Sequence, residues 1–189
     1  MEKRDFLRLL GTGPVIPAAR TFDDFKYALE QTQAESIFVL FGDILVLPQL
    51  LQLSLQHKKR LVAHLDLLQG IGKDEAGIRF LARMGIKAII TTKSHLGKVA
   101  REEGMIVIQR LFVMDSEALK QGLHLLTKAR PDAVEVLPAS VPDFVVKELI
   151  KKTGLPILAG GLVTLPEDIT AATNKGICAV STSCRALWQ

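Results

Sequence analysis

The stretch Ile37-Phe38-Val39-Leu40-Phe41 indicates the fold class of this chain. Five consecutive apolar residues of this kind predict a short strand that is buried on both faces. Such a strand is stable only in a sheet that helices cover on both sides, and sheets of that kind are parallel. The stretch therefore predicts a parallel sheet in an α/β protein.

Short β-rich runs alternate with amphipathic stretches along the whole chain. About eight of each predict a compact (β/α)8 TIM-type barrel of parallel strands, with residues 1–189 as a single domain. An open doubly wound sheet is the alternative, but the eight repeats and the absence of a Gly-x-Gly-x-x-Gly turn favour a closed barrel. The predicted strands are residues 14–19, 36–41, 60–65, 88–92, 106–111, 133–137, 156–159 and 179–181.

Capping residues mark the starts of several predicted helices. Thr21 precedes Asp23 and Asp24, whose negative charges favour a first helical turn. Further starts are predicted at Ser94, at Asp115-Ser116 and at Val141-Pro142. These signals place a helix after four of the eight strands.

The composition excludes a membrane protein and favours a cytoplasmic one. Hydrophobic residues make up 48% of the 189 residues, so the chain can bury a substantial core. No apolar run approaches the ~20 residues that span a bilayer. The first residues carry charges of both signs and lack the apolar region of a signal peptide. We therefore expect a cytoplasmic protein with no membrane partner.

Positive charge is concentrated in the middle of the chain. Residues 73–110 contain eight Lys or Arg against four Asp or Glu, an excess of +4 that equals the net charge of the whole protein. A basic surface attracts partners that carry phosphate. A run of solvated helix surface is the simpler explanation of the same pattern.

The strongest chemical signal lies at the ends of the last two predicted strands. In a parallel barrel the binding site forms where strands end, and phosphate is commonly held after strands seven and eight. Glycines allow close approach of a backbone to an anion, and hydroxyl and N–H groups donate to phosphate oxygens. The alternative is a plain turn followed by a helix cap. The predicted phosphate-binding residues are Gly160, Gly161, Ser181, Thr182 and Ser183.

A second polar pair ends the third predicted strand. His64 and Asp66 are two residues apart, so they lie on one face of a strand. A carboxylate at that position can accept hydrogen bonds from polyol hydroxyls or hold a cation, and a loop cap is the alternative. For His64 we expect an interior histidine with its hydrogen bonds satisfied.

Three charged residues end the middle strands, and their roles stay open between two interpretations. Lys93 as a Schiff-base nucleophile with Glu135 as a general base would make an aldolase or isomerase. Alternatively, Lys93, Arg110 and Glu135 neutralise one another inside the barrel. No metal site is expected, because the four histidines are scattered without ligand spacing.

Taken in order along the chain, several short motifs resemble the glycerol uptake operon antiterminator proteins. The chain departs from that pattern at Thr91-Thr92, where a serine is expected, and at Ala139-Ser140, where a glycine is expected. The motifs are Pro14-Val15-Ile16-Pro17-Ala18-Ala19-Arg20, His64-Leu65-Asp66-Leu67-Leu68-Gln69-Gly70, Ile90-Thr91-Thr92-Lys93, Gln109-Arg110-Leu111-Phe112, Val134-Glu135-Val136-Leu137-Pro138, Ala159-Gly160-Gly161-Leu162 and Ser181-Thr182-Ser183.

The resemblance implies a regulator that responds to glycerol-3-phosphate as its effector, has no other cofactor, and is not an enzyme. Loaded with this ligand, such a protein binds the leader of an mRNA and prevents premature termination of transcription of glycerol-utilisation genes. The glycine and hydroxyl residues would hold the phosphate. Asp66 and Glu135 would accept hydrogen bonds from the glycerol hydroxyls, with Arg20, Lys93 or Arg110 adding positive charge.

The resemblance implies an RNA-binding surface, for which the basic middle of the chain is the candidate. Contacts to the backbone and the shape of the RNA would dominate there. The ordered, ligand-bound form, or a homodimer of it, would present this surface. Two alternatives remain, a barrel enzyme (isomerase, aldolase or lyase) acting on a phosphorylated polyol or triose, and a scaffold barrel with an empty site. The predicted RNA-binding residues are Arg79, Arg83, Lys87, Lys98 and Arg101.

Overall fold

The computed structural model describes residue 11 and residues 13–188, and it shows a closed barrel of eight parallel strands. Each strand pairs with the next along the chain, and β8 closes the barrel by pairing with β1. The predicted TIM-type fold is confirmed. The strands are β1 (Val15–Ala19), β2 (Ser36–Val39), β3 (Arg60–His64), β4 (Ala88–Thr91), β5 (Ile106–Phe112), β6 (Ala133–Leu137), β7 (Ile157–Gly160) and β8 (Ala179–Thr182).

Seven α-helices follow the strands within the described residues. The eighth helix expected after β8 is replaced there by a single 3-10 turn, Arg185–Leu187, which Trp188 anchors to the end of β8 through a hydrogen bond to Thr182. The helices are α1 (Phe22–Gln31), α2 (Leu47–Gln56), α3 (Glu75–Met84), α4 (Gly97–Glu102), α5 (Ser116–Ala129), α6 (Asp143–Thr153) and α7 (Pro166–Asn174).

Two of the predicted helix starts, at Thr21 and Asp115, agree with the capping geometry. Thr21 Oγ1 accepts from Asp24 N at 3.0 Å, and Asp24 Oδ2 accepts from Thr21 N at 3.0 Å, which is a capping box at the start of α1. Asp115 caps α5 in the same sense, through Ala118 N at 2.8 Å. At Ser94 the chain first makes a 3-10 turn, Ser94–Leu96, and α4 begins only at Gly97.

The core is arranged in two layers. Apolar residues fill the barrel interior, among them Ile16, Phe38, Val62, Ile90 and Leu158. Two larger clusters lie between the barrel wall and the helices, one on the β1–β5 side and one on the β5–β8 side. Strands such as β2 are therefore buried on both faces, as their sequence predicts.

Among the residues that the structure describes, no helix is both long and apolar enough to cross a membrane.

Candidate functional site at the barrel mouth

A cavity of about 360 Å³ opens at the carboxyl ends of the strands. Six of the ten residues predicted for the phosphate and polyol sites contribute to its wall. They are Arg20, Arg110, Gly161, Ser181, Thr182 and Ser183, together with Ala18, Leu40, Leu137, Leu162, Val163, Thr164 and Cys184. The other four, Gly160, Glu135, Asp66 and Lys93, lie outside the wall, and the first two support it from behind.

Gly160 is required by the close approach of its neighbours. A methyl group placed on this residue would lie 2.5 Å from Ser181 Oγ and 3.0 Å from Glu135 Oε1. The next residue, Gly161, turns the chain with a positive φ of 77°. The N–H of Leu162, just after this turn, and the N–H of Ser183, just after β8, have no hydrogen-bond acceptor among the described residues. Unpaired N–H groups of this kind are donors for an anion.

The three hydroxyl residues at the end of β8 play three different parts. Ser181 points into the barrel and donates to Glu135 Oε1 at 2.6 Å. Thr182 points to the opposite face, where it donates to Val163 O at 2.8 Å and accepts from Cys184 N at 3.0 Å. Ser183 is exposed, and its hydroxyl makes no hydrogen bond to any described residue. Because side chains alternate along a strand, the three hydroxyls face different surroundings, and phosphate binding by these residues stays a prediction.

A buried ion pair lies beneath the cavity. Arg110 Nε donates to Glu135 Oε2 at 2.5 Å, and the Glu135 side chain has no solvent exposure. The neutralising network predicted for Arg110 and Glu135 is thus confirmed for these two. The prediction that Lys93 is the third member of this network is wrong, because Lys93 makes no ion pair with any described residue. The two terminal nitrogens of Arg110 likewise have no partner there, and they belong to a residue that lines the cavity.

Asp66 joins the loop after β3 to the end of β4. Its Oδ1 accepts from the Thr91 hydroxyl at 2.7 Å, and its Oδ2 accepts from the N–H and the hydroxyl of Thr92 at 2.7 and 2.9 Å. Burial raises the pKa of this carboxyl, but the threonine hydrogen bonds outweigh burial and hold the pKa below its usual value. The contacts correspond to the loop-cap alternative, and a polyol role for Asp66 stays a prediction.

His64 is an interior residue, but its hydrogen bonds are not satisfied. The side chain ends β3, the residue is 3% exposed, and neither ring nitrogen has a partner among the described residues. Burial lowers its pKa to about 4, with a further contribution from the positive charge of Arg110. The expectation of a satisfied histidine is therefore wrong, because the charged side chains around it bond elsewhere.

The sequence did not predict the contacts that Arg185 makes beside the cavity. Arg185, just after β8, donates to Asp24 Oδ1 at 2.7 Å and to Asp23 Oδ2 at 2.5 Å, and its guanidinium lies 5.2 Å from the Tyr27 ring centroid. Asp24 also accepts from the N–H of Arg20 at 3.2 Å. These contacts of Arg185 with Asp23 and Asp24, here called the clasp, connect the loops after β1 and β8. Both loops line the cavity. The sequence shows the acidic residues at the start of α1, but it does not identify Arg185 as their partner, because Arg185 is 161 residues from Asp24.

The residues predicted to bind RNA lie on α3, on α4 and before β4, away from the cavity. Arg79 pairs with Glu75 at 2.9 Å and with Glu103 at 3.6 Å, and Lys98 lies 3.8 Å from Glu102. Arg101 is half-buried rather than exposed. Arg83, Lys87 and Arg101 make no ion pair within the described residues. These three are therefore the uncompensated cations of the predicted surface.

In the described ranges, no group of three or more His, Cys, Asp or Glu side chains is placed to hold a metal ion.

A family model and similar solved structures agree on the family of this chain. The family described as glycerol-3-phosphate responsive antiterminator matches residues 15–188. The uncharacterized protein YgcP of Escherichia coli (strain K12) is 33% identical over 183 residues, covering 96% of this chain and 95% of that protein.

Two solved structures are also similar over nearly their whole length. The glycerol uptake operon antiterminator regulatory protein of Listeria monocytogenes str. 4b F2365 has a TM-score of 0.89 at 31% identity, covering 94% of this chain and 96% of its own. A glycerol uptake operon antiterminator-related protein of Thermotoga maritima MSB8 has a TM-score of 0.83 at 29% identity, covering 94% and 99%. Barrel enzymes 11 to 16% identical to this chain share only its fold. The chain belongs to the glycerol-3-phosphate responsive antiterminator family.

Proposed function

We propose that this protein is a cytoplasmic sensor of glycerol-3-phosphate that controls transcription antitermination. The phosphate binds in the barrel-mouth cavity, and the ligand-bound form, as a monomer or a homodimer, binds the leader of an mRNA from glycerol-utilisation genes. Its family and the character of the cavity support this proposal.

The main support for the proposal is the hydrogen bonding of Arg110, which lines the cavity. Its Nε is held by buried Glu135, which fixes the plane of the guanidinium. Its terminal nitrogens have no partner among the residues that the structure describes, and a guanidinium presented in this way suits a phosphate group. The exposed Arg20, the Ser183 hydroxyl and the unpaired N–H groups of Leu162 and Ser183 supply further donors on the same cavity.

The site offers less support for a barrel enzyme. Lys93 does not line the cavity, and both oxygens of Glu135 already accept hydrogen bonds, from Arg110 and Ser181. A nucleophile or a general base needs direct access to the substrate.

For the RNA-binding surface we propose α3, α4 and the segment before β4. Arg83, Lys87 and Arg101 contribute uncompensated charge there, and Arg79 and Lys98 contribute charge partly offset by their glutamates. Contacts of this kind go to the RNA backbone and weaken as the salt concentration rises.

The decisive experiment measures the affinity of the protein for the leader RNA of the source organism's glycerol-utilisation operon, with and without glycerol-3-phosphate. We expect tighter binding with the ligand, and no effect of glycerol or inorganic phosphate alone. Arg20→Gln should shift the response to higher ligand concentration. Equal RNA affinity with and without glycerol-3-phosphate would exclude the ligand-gated function.

The RNA surface is tested separately by charge reversal. Arg83→Glu with Lys87→Glu should weaken RNA binding without changing the affinity for glycerol-3-phosphate. The matched control is Lys128→Glu with Lys151→Glu, which makes the same charge change in the last turns of α5 and α6. Equal losses in both pairs would indicate that only the net charge matters.

A further inference from the structure

The feature that the proposed phosphate site leaves unexplained is His64. A buried polar group without a hydrogen bond is unfavourable, and such groups are rare in native proteins. His64 leaves both of its ring nitrogens in that state at 3% exposure. Something other than the surrounding protein is therefore expected to complete its hydrogen bonds.

The strand register places His64 beside the cavity. Val62 belongs to the apolar filling of the barrel, so His64, two residues further along β3, also faces the interior. Val39 pairs with Ala63, which brings Leu40 and His64 to the same level of neighbouring strands. Leu40 is part of the cavity wall. The imidazole thus lies in the barrel interior on the β2–β3 side, beneath the wall residue Leu40 and not in the wall itself, and Gly161 and Ser183 line the β7–β8 side.

The charged groups around His64 all bond elsewhere. Arg110 bonds Glu135, Asp66 bonds Thr91 and Thr92, and the Lys73 ammonium donates to the carbonyls of Leu65 and Leu68. None of them bonds the imidazole. Burial and the charge of Arg110 keep the ring neutral at physiological pH, since its pKa is lowered to about 4.

The hydrogen-bonding chemistry of a neutral imidazole determines which kind of group can bond both of its ring nitrogens. One ring nitrogen donates and the other accepts. A hydroxyl both donates and accepts, whereas a phosphate or carboxylate oxygen at neutral pH only accepts. The phosphate itself is therefore matched to Arg110 and the N–H groups, and an alcohol is matched to His64.

We propose that His64 is a specificity-determining residue of the cavity, which hydrogen-bonds a hydroxyl of the polyol part of the phosphorylated ligand. The inference rests on the proposed function and deepens it. The cavity then has a phosphate end at β7 and β8 and a hydroxyl end at β3. A site built to bond a hydroxyl rejects the analogue that lacks it, because its own polar atoms stay unpaired.

The test is calorimetric titration of the full chain with glycerol-3-phosphate and with propyl phosphate, which has the same phosphate and carbon chain but no free hydroxyl. Wild-type protein should prefer glycerol-3-phosphate by about tenfold or more. His64→Leu should lose most of this preference by weakening glycerol-3-phosphate binding, with propyl phosphate affinity unchanged. His64→Gln, which keeps a donor and an acceptor, should retain part of the preference.

A second measurement covers the case of a variant that does not fold. Nitrogen-15 NMR of the wild-type imidazole should show a neutral ring whose nitrogen shifts move with glycerol-3-phosphate and stay unchanged with propyl phosphate. Identical shifts with both ligands, or an unchanged preference in His64→Leu, would overturn the inference and leave the proposed function intact. Failure of the wild type to bind either ligand would overturn the proposed function, and the inference with it.

Discussion

Arg110 Nε lies 2.5 Å from Glu135 Oε2, and the Glu135 side chain is fully enclosed by the barrel. Removing one partner of a buried ion pair leaves an uncompensated charge. We predict that Arg110→Leu destabilises the protein by about 3–5 kcal/mol, measured by urea unfolding.

The double variant tests the reason for that loss. Arg110→Leu combined with Glu135→Leu removes both charges, so it should recover most of the stability while still failing to bind glycerol-3-phosphate. Additive losses in the double variant would contradict this account of the pair.

Gly160→Ala should weaken both stability and ligand binding. The new methyl group would meet Ser181 Oγ at 2.5 Å and displace the hydroxyl from Glu135. Gly97→Ala is the matched control, because its methyl group would make an ordinary 3.5 Å contact with Val107. Thermal unfolding and glycerol-3-phosphate titration of both variants provide the measurement. A wild-type affinity in Gly160→Ala would show that the Ser181–Glu135 hydrogen bond does not shape the cavity.

His64 makes stability depend on pH in a defined window. Its pKa is about 4 in the folded protein and 6.5 as the ordinary value, so in between the unfolded chain binds a proton that the folded protein does not. Stability is therefore unaffected above pH 6.5 and falls as the pH drops from 6.5 toward 4. His64→Leu should lack this loss, which amounts to about 2 kcal/mol at pH 5. Urea unfolding at pH 7.5 and pH 5 measures it, and parallel pH profiles for the two proteins would contradict the assignment.

The clasp between Asp24 and Arg185 should contribute stability that acid removes. Burial raises the pKa of the Asp24 carboxyl, but hydrogen bonds from Arg185, Thr21 and Arg20 outweigh burial and lower it below 3.8. The stabilisation is therefore present above pH ~4 and is lost as the pH falls through the folded-state value. As the pH falls below about 4, the free energy of unfolding of Asp24→Asn should therefore decrease less than that of the wild type. The surface pair Lys26 and Glu30, at 3.9 Å, offers Glu30→Gln as a control with no such effect.

The barrel itself was predictable because its signals are local. A run such as residues 36–41 carries its own evidence for a doubly buried strand, although β2 ends at Val39 rather than at Phe41. The bounds of several other strands differ from the predicted ones by one residue. Thr21 and Asp115 carry the evidence for their helices in the neighbouring sequence. Closure of the barrel follows from the count of the repeats.

The details of the site were less predictable because they depend on which face each residue takes and on distant partners. Ser181 and Thr182 are adjacent hydroxyls in the sequence, yet one bonds Glu135 and the other bonds Val163. The unpaired state of His64 depends on three neighbours that bond other groups. Residue type alone carries none of this information.

The hydrogen bond from Trp188 Nε1 to Thr182 O, at 2.8 Å, gives the protein a built-in optical probe. The chain contains one tryptophan, so its indole emission comes from a single buried ring. That ring is bonded to the last residue of β8, whose neighbours Ser181 and Ser183 line the cavity. We expect ligand binding in the cavity to change the tryptophan emission of the native protein, so that binding can be followed without a label.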